Sequence, residues 1–205
     1  QYASWINTLL EKPTDGVPGY THGIAGQAYA NWISEPFIPA SSIQQRIVSF
    51  ANTIRSEQQP NGSWLTAKSG GKKIAKPAFV HGVAGICHFL LDFARINNSE
   101  AAITAAERAL QWLMKTSVQH QQKIYWINTK KQPCSFYWAT GSLGVALTFI
   151  KAFQVTGNIH YADFARRILR SAPQAIITNE LDQYGGLCGL GEVYIEAYRV
   201  LREEA

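Results

Sequence analysis

The sequence predicts an all-α protein built as an α/α toroid, or an arc of one, with about four pairs of inner and outer helices. Three observations support this fold class. A glycine motif recurs four times, a nearly apolar helical segment follows each copy, and amphipathic helical segments separate the copies. An apolar helix must be covered on all sides, whereas an amphipathic helix needs cover on one face only. We therefore expect apolar helices inside and amphipathic helices outside.

The repeated motif has two glycines, three residues apart, at the start of an apolar segment. Its copies are Thr21–Gly26, Val80–Gly85, Ala139–Gly144 and Gly185–Gly189, so the second glycines stand at 26, 85, 144 and 189. Regular spacing of this kind is typical of repeat architectures. Inner helices are predicted to begin near Gly23, Gly82, Gly141 and Gly186. A glycine at such a point accepts non-helical dihedral angles and lets neighbouring helix ends converge.

The two kinds of helix differ in their hydrophobic pattern. The predicted inner segments are Gln27–Ile33, Ile86–Ile96, Val145–Phe153 and Leu190–Leu201, and the outer ones are Ala3–Glu11, Ser42–Gln58, Ser99–Thr116 and Tyr161–Ala172. In the second outer segment, Ile43, Ile47 and Ile54 recur at the spacing of one helix face. Ser99 is of a residue type that caps helix N-termini. Among the linkers, Pro60–Trp64 and Ile124–Ile127 are predicted to be strand-like or turn-like, and Gly70–Lys73 to be an exposed loop.

The composition is that of one globular domain, residues 1–205, with 46% hydrophobic and 16% charged residues. No apolar stretch approaches the about 18 residues that a membrane span needs. The net charge of +5 comes from short groups such as Lys72–Lys73, and not from the continuous basic stripe that nucleic-acid binding requires. Three cysteines form neither a disulfide framework nor a zinc-ribbon pattern. We expect a cytoplasmic protein without membrane or nucleic-acid partners.

The glycines suggest a binding face at the N-termini of the inner helices. Because glycine leaves backbone N–H groups uncovered, four positive helix ends would converge on one face. An anionic or polarised ligand would bind there. The alternative explanation of the same glycines is tight packing of the helix ends.

Three motifs resemble those of a known family. They are His-Gly-x-Ala-Gly at His81–Gly85, Trp-x-x-Gly-x-x-Gly at Trp138–Gly144 and Gly-Leu-x-Gly-x-Gly-Glu at Gly186–Glu192. In order and approximate spacing they resemble the lanthionine synthetase C-like cyclases. Those proteins are α/α toroids that close thioether rings in ribosomal peptides by adding a cysteine thiol to a dehydroamino acid. Their toroid has more inner helices than the four counted here, so the resemblance implies the C-terminal part of a larger toroid. The chain also begins at Gln1 rather than at Met.

The zinc ligands usual in this family have no counterpart. The family has Cys directly after the Trp of the second motif and Cys-His directly before the last motif. Those positions hold Ala139, Tyr184 and Gly185, which supply no thiolate or imidazole. The nearby Cys134 and Cys188 are interpreted as small buried residues. Because of this departure we predict no metal and no other cofactor, and the chain most resembles the zinc-free cyclase domains of class III lanthipeptide synthetases.

The resemblance also implies which residues act. His81 matches the histidine that the family uses near the reacting thioether, and histidine exchanges protons near neutral pH. His22 stands at the same place one repeat earlier and is the second catalytic candidate. His88, His120 and His160 are interpreted as structural or solvated. The binding face at the inner-helix N-termini would comprise Gly82, Gly141, Gly186, Trp138 and Tyr184.

The leading hypothesis is a lanthipeptide cyclase-like domain that forms lanthionine- or labionin-type thioether rings without zinc. Its partners would be a dehydrated precursor peptide and the kinase and lyase domains of the same synthetase. A catalytically inactive toroid that binds a peptide or a partner domain is the alternative, because all three ligands are lost. A third interpretation is an isoprenoid cyclase-like or glycan-processing toroid. It is suggested by Gln58, Gly62 and Trp64, which echo the repeat of triterpene cyclases, but no Asp-rich motif accompanies them.

Overall fold

The computed structural model describes residues 2–10, 17–21, 23–69, 72–121, 123–128, 130–173 and 180–202. These residues include eight α-helices, and the all-α prediction is confirmed. The helices are α1 (Tyr2–Leu10), α2 (Ile24–Ile33), α3 (Ala40–Ser56), α4 (Val83–Asn97), α5 (Glu100–Thr116), α6 (Ser142–Thr156), α7 (Ile159–Leu169) and α8 (Leu187–Leu201). A short 3-10 helix covers Glu35–Phe37. Within the described residues, none of the helices is both long and apolar enough to cross a bilayer.

The helices alternate between two layers, as predicted. The inner helices α2, α4, α6 and α8 each contact the next inner helix, and the outer helices α3, α5 and α7 pack against them. In α4 the side chains from Val83 to Cys87 and from Phe89 to Ala94 are buried. In contrast, α3 buries a single face that includes Ile43, Ile47 and Ile54. Ser99 caps α5 as expected, since its side chain accepts a hydrogen bond from the backbone N–H of Ala102.

Two tryptophans each donate a hydrogen bond to a backbone carbonyl near the C-terminal end of an outer helix. The indole N–H of Trp64 donates to the carbonyl of Ile54 at the end of α3, at 2.7 Å. The indole N–H of Trp126 donates to the carbonyl of Leu113 near the end of α5, at 3.0 Å. Both side chains are buried, and each indole adds a hydrogen bond to a carbonyl in the last turn of its outer helix. The linkers that follow the outer helices are therefore fixed to them.

The residues that echo triterpene cyclases have packing roles. The side-chain amide of Gln58 donates to the carbonyl of Gly62 at 2.9 Å and to that of Ala105 at 2.8 Å. Gly62 has a φ of +90°, and a Cβ there would lie 2.3 Å from the carbonyl oxygen of Arg108. Any other residue at position 62 would be strained at this φ and would clash with the Arg108 carbonyl, which explains the glycine. Together with the buried Trp64, these residues connect α3 to α5.

The linkers contain more strand than the sequence predicts. Strands β1 (Ala67–Ser69) and β2 (Lys72–Ile74) form one antiparallel hairpin, and β3 (Val118–His120) and β4 (Lys123–Tyr125) form another. Lys72 and Lys73 are exposed as expected, but the prediction of a loop is wrong for them, because they pair with Ser69 and Lys68 of β1. Gly70 and Gly71 lie outside the described residues. The two hairpins precede the inner helices α4 and α6.

Candidate functional site

Each inner helix begins after a glycine of the repeated motif, as predicted. Gly23, Gly82, Gly141 and Gly186 are the N-cap residues, and all four have extended backbone. Glycine has no side chain that could accept hydrogen bonds from the first N–H groups of a helix. Carbonyl groups of the preceding loop accept these bonds instead. In α4, the N–H of Val83 donates to the carbonyl of Lys76 at 2.8 Å, and that of Ala84 to Pro77 at 3.3 Å. The same pairs of bonds join Ile24 and Ala25 to Val17 and Pro18, Ser142 and Leu143 to Ser135 and Phe136, and Leu187 and Cys188 to Glu180 and Leu181.

Because of these bonds, the first N–H groups of the inner helices are not available to bind a ligand. The first two N–H groups of every inner helix already have a partner seven residues earlier in the chain. The expectation that the glycines leave these groups uncovered for a ligand is therefore wrong. The reason is that the loop curls back over the helix end, and its carbonyls satisfy donors that would otherwise be orphaned.

The glycines provide the room for this loop. At Gly82, a Cβ would lie 2.5 Å from the capping carbonyl oxygen of Lys76. At Gly144, a Cβ would lie 2.0 Å from the carbonyl oxygen of Trp138 and 2.7 Å from the Cβ of Phe79 in the neighbouring repeat. Tight packing of the helix ends, the alternative noted from the sequence, thus explains both glycines of the motif.

Replacing Gly144 by alanine is expected to destabilise the protein. Its new methyl group would overlap backbone and a neighbouring Cβ, neither of which can move away cheaply. Overpacking of this kind costs about 1–3 kcal/mol of the free energy of unfolding, and sometimes more. Urea unfolding checks the value. Gly191→Ala on α8 is the matched control, because nothing lies within 4 Å of a Cβ there. The control should gain about 0.5–1 kcal/mol from helix propensity, and equal stability of the two variants would contradict this explanation.

A chain of backbone hydrogen bonds connects the four loops. The N–H of Thr21 donates to the carbonyl of Val80 at 3.2 Å, Val80 to Ala139 at 2.9 Å, and Ala139 to Tyr184 at 3.2 Å. Each of these residues stands two positions before an N-cap glycine. These bonds place Ala139 beside Tyr184 and its neighbour Gly185, the three positions that the motif resemblance matches to zinc ligands. The side chains present at these positions do not fit a zinc ion.

Other residues do not replace those ligands. Among the residues that the structure describes, no group of three or more His, Cys, Asp or Glu side chains could hold a metal ion. The donor set required for zinc is therefore missing from this part of the chain.

His81 lies at the end of a loop, directly before the N-cap Gly82. It lines a cavity of about 380 Å³, the His81 cavity, together with Lys76, Cys134, Ser135 and Thr140. His81 and Thr140 occupy the same position in successive repeats. The hydroxyls of Ser135 and Thr140 are 3.2 Å apart. The His81 cavity thus combines an imidazole, a primary ammonium and two hydroxyls, which is a set able to transfer a proton and to stabilise negative charge.

The exposure of Cys134 and Cys188 differs from their interpretation as small buried residues. Cys188 is exposed and Cys134 is half-buried, so that interpretation is wrong for Cys188 and incomplete for Cys134. Burial raises the pKa of the Cys134 thiol, and the ammonium of Lys76 opposes this only in part. Cys134 is therefore protonated at neutral pH and is a weak nucleophile in the His81 cavity.

The remaining predicted site residues are divided between core and surface. Trp138 is buried, and its ring centroid lies 5.1 Å from that of Phe79 and 6.5 Å from that of Tyr20. Its indole nitrogen is buried without a hydrogen-bond partner among the described residues. Tyr184 is 48% exposed. His22 lies outside the described residues. The structure therefore places Trp138 in an aromatic cluster below the loops and leaves Tyr184 at the surface.

Sequence reasoning missed a charged network on the inner helices. Asp92 on α4 is mostly buried, and its carboxylate accepts a hydrogen bond from the phenol of Tyr29 on α2 at 2.6 Å. The ammonium of Lys151 on α6 lies 3.1 Å from the same carboxylate, and Nε2 of His88 lies 3.7 Å from it. Three consecutive inner helices thus meet at one carboxylate. Position in the repeat could have indicated this, because Tyr29 and His88 stand six residues after an N-cap glycine, and Asp92 and Lys151 stand ten residues after one.

The network fixes the charge of its members. Burial raises the pKa of Asp92, but His88, Tyr29 and Lys151 lower it more, so Asp92 is ionised. Burial lowers the pKa of His88 to about 4, although Asp92 opposes this, so the imidazole is neutral at neutral pH. Burial and the neighbouring Asp92 raise the pKa of Tyr29, which keeps the phenol protonated. The His88 side chain is mostly buried, so of the two interpretations from the sequence, structural or solvated, the solvated one is wrong.

Comparisons with known proteins give a family and a fold. The family model described as lanthionine synthetase C-like protein matches residues 76–205, which is more than half of the chain. Among solved structures, nisin cyclase matches 98% of this chain with a TM-score of 0.74 and 18% sequence identity. The chain spans 56% of the length of nisin cyclase. At this identity the likeness shows the shared toroid fold, and none of the curated proteins matches the sequence. From the family match and the shared fold, we conclude that the chain belongs to the lanthionine synthetase C-like family.

Proposed function

We propose that this chain is a lanthipeptide cyclase-like domain that closes thioether rings without zinc. One observation carries the proposal: the family histidine, His81, lines the His81 cavity with an ammonium and two hydroxyls, while Ala139, Tyr184 and Gly185 offer no metal ligand. Thiol addition to a dehydroamino acid does not strictly require a metal, because the acceptor is already activated. Holding the two reacting groups together contributes several kcal/mol by proximity alone.

The reaction requires one proton to leave sulfur and one to reach carbon. In the proposed sequence, a ring nitrogen of His81 takes the proton of the peptide cysteine thiol. The sulfur then bonds to the β-carbon of the dehydroamino acid. The electrons of the C=C bond shift to the bond between the α-carbon and the carbonyl carbon, and the carbonyl π electrons move onto oxygen, which gives an enolate. Protonated His81 returns its proton to the α-carbon, so the imidazole ends as it began. His22, in the same place of the preceding repeat, is proposed as a second proton carrier.

The enolate formed on addition needs a donor. Because loop carbonyls occupy the first two N–H groups of each inner helix, we assign this role to Lys76, Ser135 and Thr140 in the His81 cavity. An ammonium or a hydroxyl aimed at developing negative charge stabilises it most in a partly buried site. The proposed binding face would still include Gly82 and Gly141, whose loops line this cavity, together with Gly186, Trp138 and Tyr184.

The substrate, partners and location belong to the same proposal. We propose a dehydrated precursor peptide as substrate and lanthionine- or labionin-type rings as products. A class III synthetase, in which kinase and lyase domains accompany the cyclase domain, would supply that peptide. Residues 1–205 would be part of the toroid of such a synthetase. A cytoplasmic location is consistent with three free cysteine thiols.

Ring closure by protein purified without chelators tests this proposal. The substrate is a synthetic peptide with one dehydroalanine and one cysteine, and loss of the free thiol with retention of mass reports closure. We expect closure faster than the spontaneous reaction, no effect of EDTA, and clearly less than one zinc per chain by elemental analysis. A stoichiometric zinc ion, or activity abolished by EDTA, would show that the chain builds a metal site from residues other than Ala139, Tyr184 and Gly185.

A catalytically inactive scaffold that binds a peptide or partner domain is the second candidate. The observation in its favour is that loop carbonyls satisfy the inner-helix donors. An inactive scaffold would close rings at the spontaneous rate in the same assay while retaining affinity for the peptide.

A further inference from the structure

The positive charge of the chain is concentrated in the two linkers that contain the hairpins. Residues 58–82, before α4, and residues 117–141, before α6, together contain seven lysines and no aspartate or glutamate. The chain has 19 basic and 14 acidic residues in all, so outside these two linkers the acidic residues are in excess by two. The formal net charge of +5 therefore arises in the linkers and not in the helices around them.

The fold brings the two linkers together at the His81 cavity. Ile74 and Lys76 of the first linker line this cavity, and so do Ile127 and Asn128 of the second. The ammonium of Lys76 also partly opposes the rise in the pKa of Cys134, so a charge of one linker acts on a side chain of the other. Basic groups that are far apart in the sequence thus adjoin a single cavity.

One exposed lysine of the first hairpin lies on the side of the His81 cavity. Side chains two residues apart in a strand share a face. Lys72 therefore lies on the same face of β2 as Ile74, which lines the cavity. Lys73, between them, lies on the opposite face.

A tight turn of the second linker places two more exposed lysines next to the cavity. The N–H of Asn128 donates to the carbonyl of Gln132 at 2.8 Å, and its side-chain oxygen accepts a hydrogen bond from the N–H of Lys130 at 2.9 Å. The N–H of Lys131 donates to the carbonyl of Asn128 at 3.0 Å. The turn is therefore fixed two and three residues beyond a residue of the cavity wall. We call Lys72, Lys130 and Lys131 the basic rim.

The basic rim has no counter-charge of its own. Among the residues that the structure describes, none of the ion pairs involves a lysine of the two linkers. The loop before α8 carries Glu180 and Asp182, but neither lines the His81 cavity. Charges of one sign around a cleft raise the local concentration of ligands of the opposite sign. The basic rim therefore favours an anionic ligand at the His81 cavity.

Two features favour a peptide over a nucleic acid as that ligand. The two linkers contain no arginine, which is the residue best suited to paired contacts with a phosphate group. The side chain of Ile127 is 48% exposed at the cavity wall and offers apolar contact to a peptide side chain. Aspartate and glutamate supply carboxylates for charge-assisted hydrogen bonds with lysine.

We propose that the basic rim binds aspartate or glutamate side chains that flank the ring-forming segment of the peptide, so that acidic peptides are the preferred substrate class. This inference rests on the proposed function for the peptide and for its place in the His81 cavity. Lys72 and Lys130 each stand two residues from a residue of the cavity wall, and an extended peptide advances about 3.3 Å per residue. Carboxylates about two to four residues from the reacting residue would therefore reach the basic rim.

A peptide series tests the inference without any ring closure. Synthetic peptides carry serine in place of the reacting residues, and pairs of glutamate, glutamine or lysine residues flank that centre on both sides. All carry the same neutral dye, and fluorescence anisotropy with the full chain at low salt measures the affinity. We expect the glutamate peptide to bind about 3- to 30-fold more tightly than the glutamine peptide, as three exposed ion pairs allow, and the lysine peptide to bind most weakly. Salt should reduce this preference, because the pairs are exposed.

Two triple variants with the same change of net charge locate the preference. The rim variant, Lys72→Gln with Lys130→Gln and Lys131→Gln, should bind the glutamate and glutamine peptides equally. The control variant replaces three exposed basic residues that do not line the His81 cavity, and it should retain the preference. Its changes are Lys115→Gln, Lys123→Gln and Arg199→Gln. Lys76 is left unchanged in both, and circular dichroism verifies that each variant is folded.

Four results would overturn the inference. They are equal affinity of the wild type for the glutamate and glutamine peptides, a preference that survives in the rim variant, a preference lost equally in the control variant, and no measurable binding of the glutamate peptide. A single-stranded oligouridylate and vesicles containing phosphatidylserine are the comparison probes. Tighter binding of either one through the basic rim would also overturn the assignment to a peptide.

Failure of the proposed function is separate from failure of this inference. A chain that prefers the glutamate peptide but closes no rings would refute the cyclase and retain the basic rim. Ring closure with equal KM for reactive peptides with glutamate and glutamine flanks would do the opposite.

Discussion

Replacing His81 by asparagine is expected to slow ring closure of a dehydrated peptide by about 10- to 10⁴-fold, which is the usual range for losing a general acid or base. Asparagine retains much of the size and hydrogen bonding of histidine, but it cannot exchange a proton. Peptide affinity and thermal stability should therefore change little. Rates of thiol loss under single-turnover conditions, with anisotropy and thermal melts in parallel, separate the chemical step from binding and folding.

The matched control for this prediction is His160→Asn. His160 is exposed at the start of α7 and is absent from the residues that line the His81 cavity. The His160→Asn variant should close rings at the wild-type rate. An active wild type with an equally active His81→Asn variant would remove His81 from the mechanism, and a lower melting temperature of that variant alone would assign it a structural role.

Replacing Lys151 by methionine is expected to cost about 3–5 kcal/mol of the free energy of unfolding at pH 7. The side chains of Lys151 and Asp92 are 16% and 12% exposed, so water screens their interaction little. Methionine fills similar space but leaves the buried charge of Asp92 with the phenol of Tyr29, the neutral His88 and the largely exposed Arg95, whose guanidinium is 3.9 Å away. Removing one partner of a buried ion pair is far more costly than removing both. Urea unfolding at pH 7 measures the loss.

The pH dependence of this loss has a defined sign. The folded-state pKa of Asp92 lies below its unfolded value of about 3.9, so its stabilising contribution is present above that pH and is lost as the pH falls through the folded pKa. The difference between wild type and Lys151→Met should therefore be largest near neutral pH and shrink below about pH 4. The double variant with Asp92→Asn should recover much of the stability. Exposed Lys115→Met should change stability by less than about 0.5 kcal/mol, and a similarly small loss in Lys151→Met would contradict the importance of the network.

Features that depend on local residue type could be predicted from the sequence. Gly82 and Gly141 mark helix starts because no other residue fits beside the capping carbonyls. A glycine in this motif therefore indicates directly where an inner helix begins. Ser99 indicates the start of α5 because its side chain is the acceptor. The apolar segments before Phe93 and Phe153 are inner helices because both their faces are covered. In each case one residue carries a physical requirement that is independent of the rest of the chain.

Features that depend on the path of the backbone or on distant residues could not be predicted. The carbonyl of Lys76 caps α4, yet any residue type supplies a carbonyl, and the sequence therefore suggested uncovered helix ends. The three partners Tyr29, Asp92 and Lys151 belong to three helices, and only their positions within the repeat relate them to one another. His81 was identified from a family resemblance, whereas its neighbours in the His81 cavity depend on how a hairpin and a loop meet.

The backbone hydrogen bonds between the loops do not depend on side chains at the positions matched to zinc ligands. Ala139 contributes its main-chain N–H and its carbonyl to these bonds, and Tyr184 contributes its carbonyl, so neither side chain is needed for them. Gly185 has nothing within 4 Å of a Cβ, unlike the adjacent Gly186, whereas Ala139 is fully buried in the core. New side chains at Tyr184 and Gly185 would therefore leave the bonds between the loops in place, and a larger side chain at Ala139 would have to displace core residues. Tyr184 and Gly185 are the better positions for installing new chemistry by design.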